Sequence, residues 1–438
     1  MNVHSPGAPE KLEDLLDALI DYRGKSPRKT TSGIPLITAK IIKGGEVLEA
    51  AEFIAREDYE SWMRRGLPEK GDIIMTTEAP LGEIAQLKQS NIALAQRVVV
   101  LRGRPGILDN TYLKYYAQSN SFQDQLKSRA TGTTVLGIKQ KELRKIPVYL
   151  PSFSEQQEIG SHLKLLDDKI ALNRQTARTL EELAQRLFKS WFVDFDPVRA
   201  KIAGRQPAHT PSEIANLFPD RLVDSPLGPI PEGWEIWRIE DIVTVKGGAT
   251  PSTKEDAFWD GGTYHWATPK DLSGLQQKVL ITTERRITSV GVEKISSGQL
   301  PVGTVLMSSR APVGYLALAD MPVSINQGFI AMICDQGVPN TFVLHWAEAN
   351  MEVIKSNAGG STFAEISKKQ FRPLEVIVPP APLLQAFDEM AVEWFQRVSQ
   401  LARENVTLAQ LRDRLLPALI SGRTRIPWVG GEYSGTQM

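Results

Sequence analysis

Polar side chains able to grip nucleic acid fall in pairs along this chain. Arg23, Lys25, Arg28 and Lys29 crowd a glycine-opened loop, and Lys246, Thr250, Ser252 and Lys254 crowd its counterpart. Thr38 and Lys40 are answered by Thr268 and Lys270. Thr77, which precedes Glu78, is answered by Ser309, which precedes Arg310. Gln96 and Arg97 are answered by Gln327 and Gly328, and Lys139 and Lys141 by Lys368 and Lys369. Lysine, arginine and hydroxyl groups suit phosphate oxygens, while glutamine and arginine can make bidentate contacts to base edges in the major groove. A solvated charged surface is the plain alternative for any single lysine. The contrasts stand out from that background. Glu78 against Arg310, and Arg97 against Gly328, differ inside otherwise matching frames. Two reading heads built on one scaffold would differ in this way.

Catalytic chemistry finds no comparable support. Gly24-Lys25-Ser26 ends like a P-loop, but the required glycine five residues earlier is Leu19. The histidines His4, His162, His209, His265 and His345 are scattered, without metal-ligand spacing. Gly-x-Ser-x-Gly is absent. A methyltransferase that flips a base would need an Asn/Asp/Ser-Pro-Pro-aromatic tetrad. The nearest string, Val378-Pro379-Pro380-Ala381, lacks both the amide and the aromatic.

The pairing belongs to a larger repeat. Residues 71–82 reappear as 303–314, including Met75-Thr76-Thr77-Glu78-Ala79-Pro80 against Met307-Ser308-Ser309-Arg310-Ala311-Pro312. Asn110-Thr111-Tyr112 answers to Asn340-Thr341-Phe342, and residues 130–135 to 358–363. The period is too long for a solenoid, whose units run ~20–50 residues. It is a duplication of domains.

Each copy begins with a mixed segment. Short apolar runs such as 97–101 and 328–333 read as buried strands. A long helix follows. The first spans about 154–191, with Ser154 and Gln157 as a capping box. Its heptad seam is Ile159, Leu163, Leu166, Ile170, Asn173, Ala177, Leu180, Ala184, Leu187 and Trp191. The second seam lies 228 residues later, at Phe387, Ala391, Trp394, Val398, Leu401, Asn405, Leu408, Arg412, Leu415 and Leu419. Sustained four-three spacing marks a coiled coil. Asn173 and Asn405 either fix its register or are polar residues at a wet end or facing a partner. Related by a two-fold, the helices would pack antiparallel as a ruler with a reading head at each end, ~57 Å long at ~1.5 Å per residue.

The expected architecture is α+β: two mixed α/β target-recognition domains, 1–150 and 235–378, and two long helices, 151–196 and 379–425, forming an antiparallel coiled coil. A Pro-rich connector occupies 197–234 and a loose tail 426–438. The chain has 51 basic and 51 acidic residues, which argues against non-specific coating of nucleic acid. One cysteine, Cys334, excludes internal disulfides and suggests a reducing, cytoplasmic setting. No signal peptide or membrane span is expected.

Three longer strings carry a family resemblance. They are Leu187-Phe188-Lys189-Ser190-Trp191-Phe192-Val193-Asp194-Phe195-Asp196-Pro197, the run 225–234 ending in Pro231-Glu232-Gly233-Trp234, and Gly247-Gly248-Ala249-Thr250-Pro251-Ser252 followed by Trp266-Ala267-Thr268-Pro269-Lys270-Asp271-Leu272. With the repeat, they resemble the specificity (S) subunits of type I restriction-modification systems over essentially the whole chain. The resemblance implies a non-catalytic subunit whose domains each read half of a bipartite site in double-stranded DNA. Helical spacers would set the gap and bind two methyltransferase (M) subunits. No cofactor would reside in this chain. S-adenosylmethionine would belong to the adenine-methylating partners, and ATP and Mg to restriction (R) subunits of the full complex. The competing readings are a coiled-coil scaffold that spaces two protein-binding domains without DNA recognition, and a fused enzyme that both reads and modifies.

Overall fold

The computed structural model describes residues 9–22, 26–132, 135–359 and 364–424. Arg23, Lys25, the P-loop-like Gly24, the N-terminal segment expected to carry no signal peptide, and the tail 426–438 lie outside the described residues. The chain forms two compact units, one of Met1–Lys169 with Thr407–Met438, the other of Ile170–Val406.

In the first unit the central sheet runs Leu16–Asp21, Val98–Gly103, Ile73–Thr77, Leu81–Gln86, all antiparallel, with Ile74 opposite Val100. Both faces are covered, which explains the unbroken apolar runs. Ile73, Met75, Val99 and Leu101 pack against the helix Asn110–Gln118 through Tyr112, Leu113 and Tyr116. Ile74, Val98 and Val100 pack instead on a three-stranded sheet of Phe53–Ile54, Ile34–Ile37 and Ala93–Leu94.

The second unit repeats the plan. Its sheet runs Thr244–Lys246, Phe329–Ile333, Val305–Ser308, Leu316–Ala319, with Val279–Leu280 added at the edge. Val305, Met307, Ile330 and Met332 face the helix Asn340–Ala349, while Leu306, Phe329 and Ala331 face a smaller cluster with Ala267 and Ile325. The three-stranded sheet here is Arg285–Ile287, Tyr264–Ala267, Ser324–Ile325.

The long helices are Phe153–Phe188 and Ala381–Ile420. The first starts one residue before the expected cap, Ser154. Ser152 is the cap: its Oγ accepts from the Glu155 N–H at 3.3 Å, and the Glu155 carboxylate accepts from the Ser152 N–H at 3.1 Å. A π-helical turn, Lys189–Val193, ends it. Past it comes a short helix, Asp196–Ile202, with Pro197 in its first turn, where the missing N–H is harmless.

Within each unit the two helices run antiparallel. In the second, Asn173 donates from Nδ2 to Asn405 Oδ1 at 3.0 Å, and the tilted rings of Trp191 and Phe387 lie 6.4 Å apart. Asn173 is 2% exposed and Asn405 is half-buried, so the two side chains meet inside the seam and Asn173 is not at a wet end. In the first, Arg412 meets Asp167 at 2.8 Å, beside a core that includes Leu163, Leu416 and Leu419. Arg412 thus occupies its seam position because a carboxylate stands opposite.

The strings that carry the resemblance are largely packing. Phe188, Phe192, Phe195 and Trp234 join Phe342 and Phe387 in one aromatic cluster of the second unit.

Candidate nucleic-acid interface

The hairpin after each central strand builds a repeated frame. Ala79 and Ala311 sit at φ 49 and 54, each followed by a cis proline, Pro80 or Pro312. In the first unit the Thr77 N–H donates to the Arg97 carbonyl at 2.9 Å, and the Thr77 carbonyl accepts from the Ile138 N–H at 3.0 Å. In the second, the Ser309 N–H donates to Gly328 at 2.8 Å, and the Ser309 carbonyl accepts from Ile366 at 3.0 Å. Glu78 bridges to Gly137, and Arg310 to Glu365. Three separated segments are stitched together in the same way twice.

The frame of the first unit opens into a cleft of about 390 Å³, lined by Thr77, Glu78, Gln96, Arg97, Thr131, Val135, Gly137, Ile138 and Lys139. Four expected contact residues thus meet there. Thr38 stands nearby, because the Ala95 N–H, next to Gln96, donates to Ile37 at 3.0 Å. Arg97 Nη2 lies 3.6 Å from Glu78 Oε1, and both side chains are about half exposed.

In the second unit Thr250 donates from Oγ1 to Gln327 Oε1 at 2.7 Å. The Asn326 N–H, next to Gln327, donates to Ala267 at 3.0 Å, bringing Thr268 close. Gly248 lets its loop press onto the neighbouring strand: a Cβ there would lie 1.9 Å from the Ile325 carbonyl oxygen. Lys368 lies over Gly247, and Lys246 is exposed opposite Ala331 at the sheet edge. Arg310 Nη1 is 3.8 Å from Glu365 Oε2.

Other expected residues are differently placed. Thr77 and Ser309 are buried, so they shape the frame through their backbones. Thr268 Oγ1 bonds Asp271 at 2.8 Å as a helix cap. Lys29 pairs with Glu52 and Lys270 with Glu284, each at 2.8 Å; the Glu284 contact holds the Lys270 ammonium above its ordinary pKa. The Ser252 carbonyl accepts from Trp259 Nε1 at 2.9 Å, and the Arg285 guanidinium stacks 3.7 Å over Trp259. Arg28, Lys40, Lys141, Lys254 and Lys369 are exposed, and among the described residues no hydrogen bond or ion pair ties them to these frames. Sequence reasoning missed Glu365 and Arg285. The repeat could have found Glu365, which stands 228 residues after Gly137, the same offset as residues 130–135 to 358–363.

Among the described residues no three His, Cys, Asp or Glu side chains gather as a metal site, and no helix is long and apolar enough to cross a membrane.

The sequence pattern of the type I restriction modification DNA specificity domain matches this chain twice, over residues 11–182 and 231–400. The chain belongs to that family. Its role is DNA specificity, not catalysis. The HindI specificity subunit of Haemophilus influenzae is 27% identical over 376 residues, covering 76% of this chain and 81% of that protein. The MjaIX specificity subunit of Methanocaldococcus jannaschii is 23% identical over 361 residues, covering 82% and 78%. The crystal structure of the type I restriction-modification S subunit from M. genitalium has a TM-score of 0.55 at 15% identity, covering 96% of this chain and 97% of that one, a likeness of fold. The two frames therefore lie one in each specificity domain.

Proposed function

We propose that each specificity domain reads one half of a bipartite site in double-stranded DNA through its polar frame. The observation that carries this reading is one backbone frame built twice with different charged side chains: Glu78 and Arg97 in one copy, Arg310 and Glu365 in the other. Gln96, Arg97 and Lys139 serve the first half-site. Thr250, Arg310, Gln327 and Lys368 serve the second. Lys246, Ser252, Lys270 and the exposed lysines outside the frames supply phosphate contacts. The long helices space the half-sites and receive two methyltransferase subunits, which hold S-adenosylmethionine and methylate adenine. Restriction subunits using ATP and Mg complete the enzyme. The neutral chain fits partners that share the phosphate contacts. A lone cysteine whose thiol burial pushes up to about 12 fits a reducing cytoplasm.

The test is competition among duplexes of different sequence, across a salt series, for the chain assembled with the methyltransferase subunits of its own system. A strong preference for one sequence at every salt concentration is expected. Equal binding of all duplexes would instead favour a coiled-coil scaffold.

A further inference from the structure

Resting on the reading of both domains as DNA readers, we infer that the Arg97–Glu78 and Arg310–Glu365 pairs each read a single G·C base pair. The arginine donates to guanine and the glutamate accepts from the amine of the paired cytosine.

The geometry of each pair is that of two neighbours side by side. The nearest N···O approaches are 3.6 Å for Arg97–Glu78 and 3.8 Å for Arg310–Glu365. Both exceed the ~2.7–3.2 Å of an N–H···O hydrogen bond, so each group keeps donors or acceptors for a ligand. All four side chains are between 39% and 50% exposed, open to solvent beside one another.

On the major-groove edge of a G·C pair, guanine O6 accepts and cytosine N4 donates, side by side at about 2.9 Å, the length of the bond that joins them. A donor next to an acceptor on the protein matches an acceptor next to a donor on the base pair. An A·T pair also offers a donor–acceptor row. There, thymine O4 stands beside a methyl group, so a guanidinium fork finds one acceptor. Guanine offers two, O6 and N7.

The two domains reach this arrangement from exchanged segments. Position 78 carries the acid in the first domain, and its counterpart 310 carries the base in the second. Gly328 replaces Arg97, and the space there is closed: a Cβ would lie 2.9 Å from Pro269 Cγ. The compensating acid, Glu365, bridges Arg310 from the place that Gly137 holds opposite Glu78. A chance surface ion pair needs no such coordinated replacement of three positions.

Selection from randomised duplexes tests the inference, using the full chain with the methyltransferase subunits of its own system. In wild type, each half-site should contain a required G·C pair. Arg97→Ala should lower the preference for that pair roughly 5- to 150-fold in one half-site and leave the other half unchanged. Arg310→Ala should do the converse. Glu78→Gln and Glu365→Gln should relax the same two positions. The unaltered half-site in each selection reports that the variant is folded. Unchanged motifs would overturn the inference and leave simple surface ion pairs. A uniform loss across all sequences, with the salt slope reduced by about one, would overturn it in favour of phosphate contacts. A wild-type complex with no sequence preference would bring down the underlying reading as well, and is a distinct result.

Discussion

Glu181, on the first long helix, is buried in the second unit, where its carboxylate accepts from the Lys278 N–H. Burial pushes its pKa up to about 7; Lys278 pulls it down and Glu348 adds to the rise. The unfolded chain ionises this group near 4.5. Between the two values the folded state holds a proton that the unfolded state has lost, so stability falls as pH rises through that window and then levels off. Glu181→Gln should remove that slope. The stability of the variant relative to wild type should grow from pH 5 to pH 7 by up to a few kcal/mol and hold steady above, measured by denaturant unfolding. A difference independent of pH would contradict the assignment. Asp167 behaves oppositely. Burial raises its pKa, but Lys114, Arg412 and Tyr115 outweigh burial and hold it below the ordinary carboxylate range. Its contribution is present at neutral pH and is lost as pH falls through the folded value. Asp167→Ala leaves Lys114 buried without its 2.6 Å partner and should destabilise the first unit by about 3–5 kcal/mol. Thermal unfolding of the full chain at neutral pH checks this.

The helices show what a sequence pattern can and cannot carry. Heptad spacing marks positions that the fold buries, among them Leu163, Ala177, Ala184, Phe387, Val398 and Leu419. It does not mark Glu181, which is buried because a domain packs on that side, or Phe188, which packs both on Phe342 of the domain and on Phe387 of the other helix. Nor can spacing distinguish Ser152 from Ser154 as the cap, since either has a Glu or Gln three residues on. The Asn173–Asn405 contact lies within the seam, where leucines would pack without a desolvation cost. Asn173→Leu alone strands Asn405 and should cost about 1–3 kcal/mol. Adding Asn405→Leu should recover that loss or exceed it, giving a large coupling energy in a double-mutant cycle. Additive effects would mean that the 3.0 Å bond contributes nothing to the packing of the helices.

At the scale of the molecule, duplication made the fold legible, because each strand and helix could be checked against its counterpart. The candidate site was legible where a polar residue falls inside a matching frame of the repeat, as at Gln96 and Gln327 or at Arg97 opposite Gly328. Glu365 escaped because it lies just past the matched segment 358–363, and Arg285 because its stacking on Trp259 joins segments that sequence alone does not bring together. The proposed spacer role belongs to this scale too. Removing one heptad from each long helix shortens it by ~10 Å at ~1.5 Å per residue, so the gap between half-sites should shrink by about three base pairs at ~3.4 Å each. An unchanged gap would show that helix length does not set it. The central claim, two domains reading two half-sites, is tested most directly by mapping adenine methylation across the genome of cells that carry the complete system. Two defined half-sites separated by a constant stretch of unspecified bases are expected. A single contiguous motif, or methylation without any sequence rule, would contradict it.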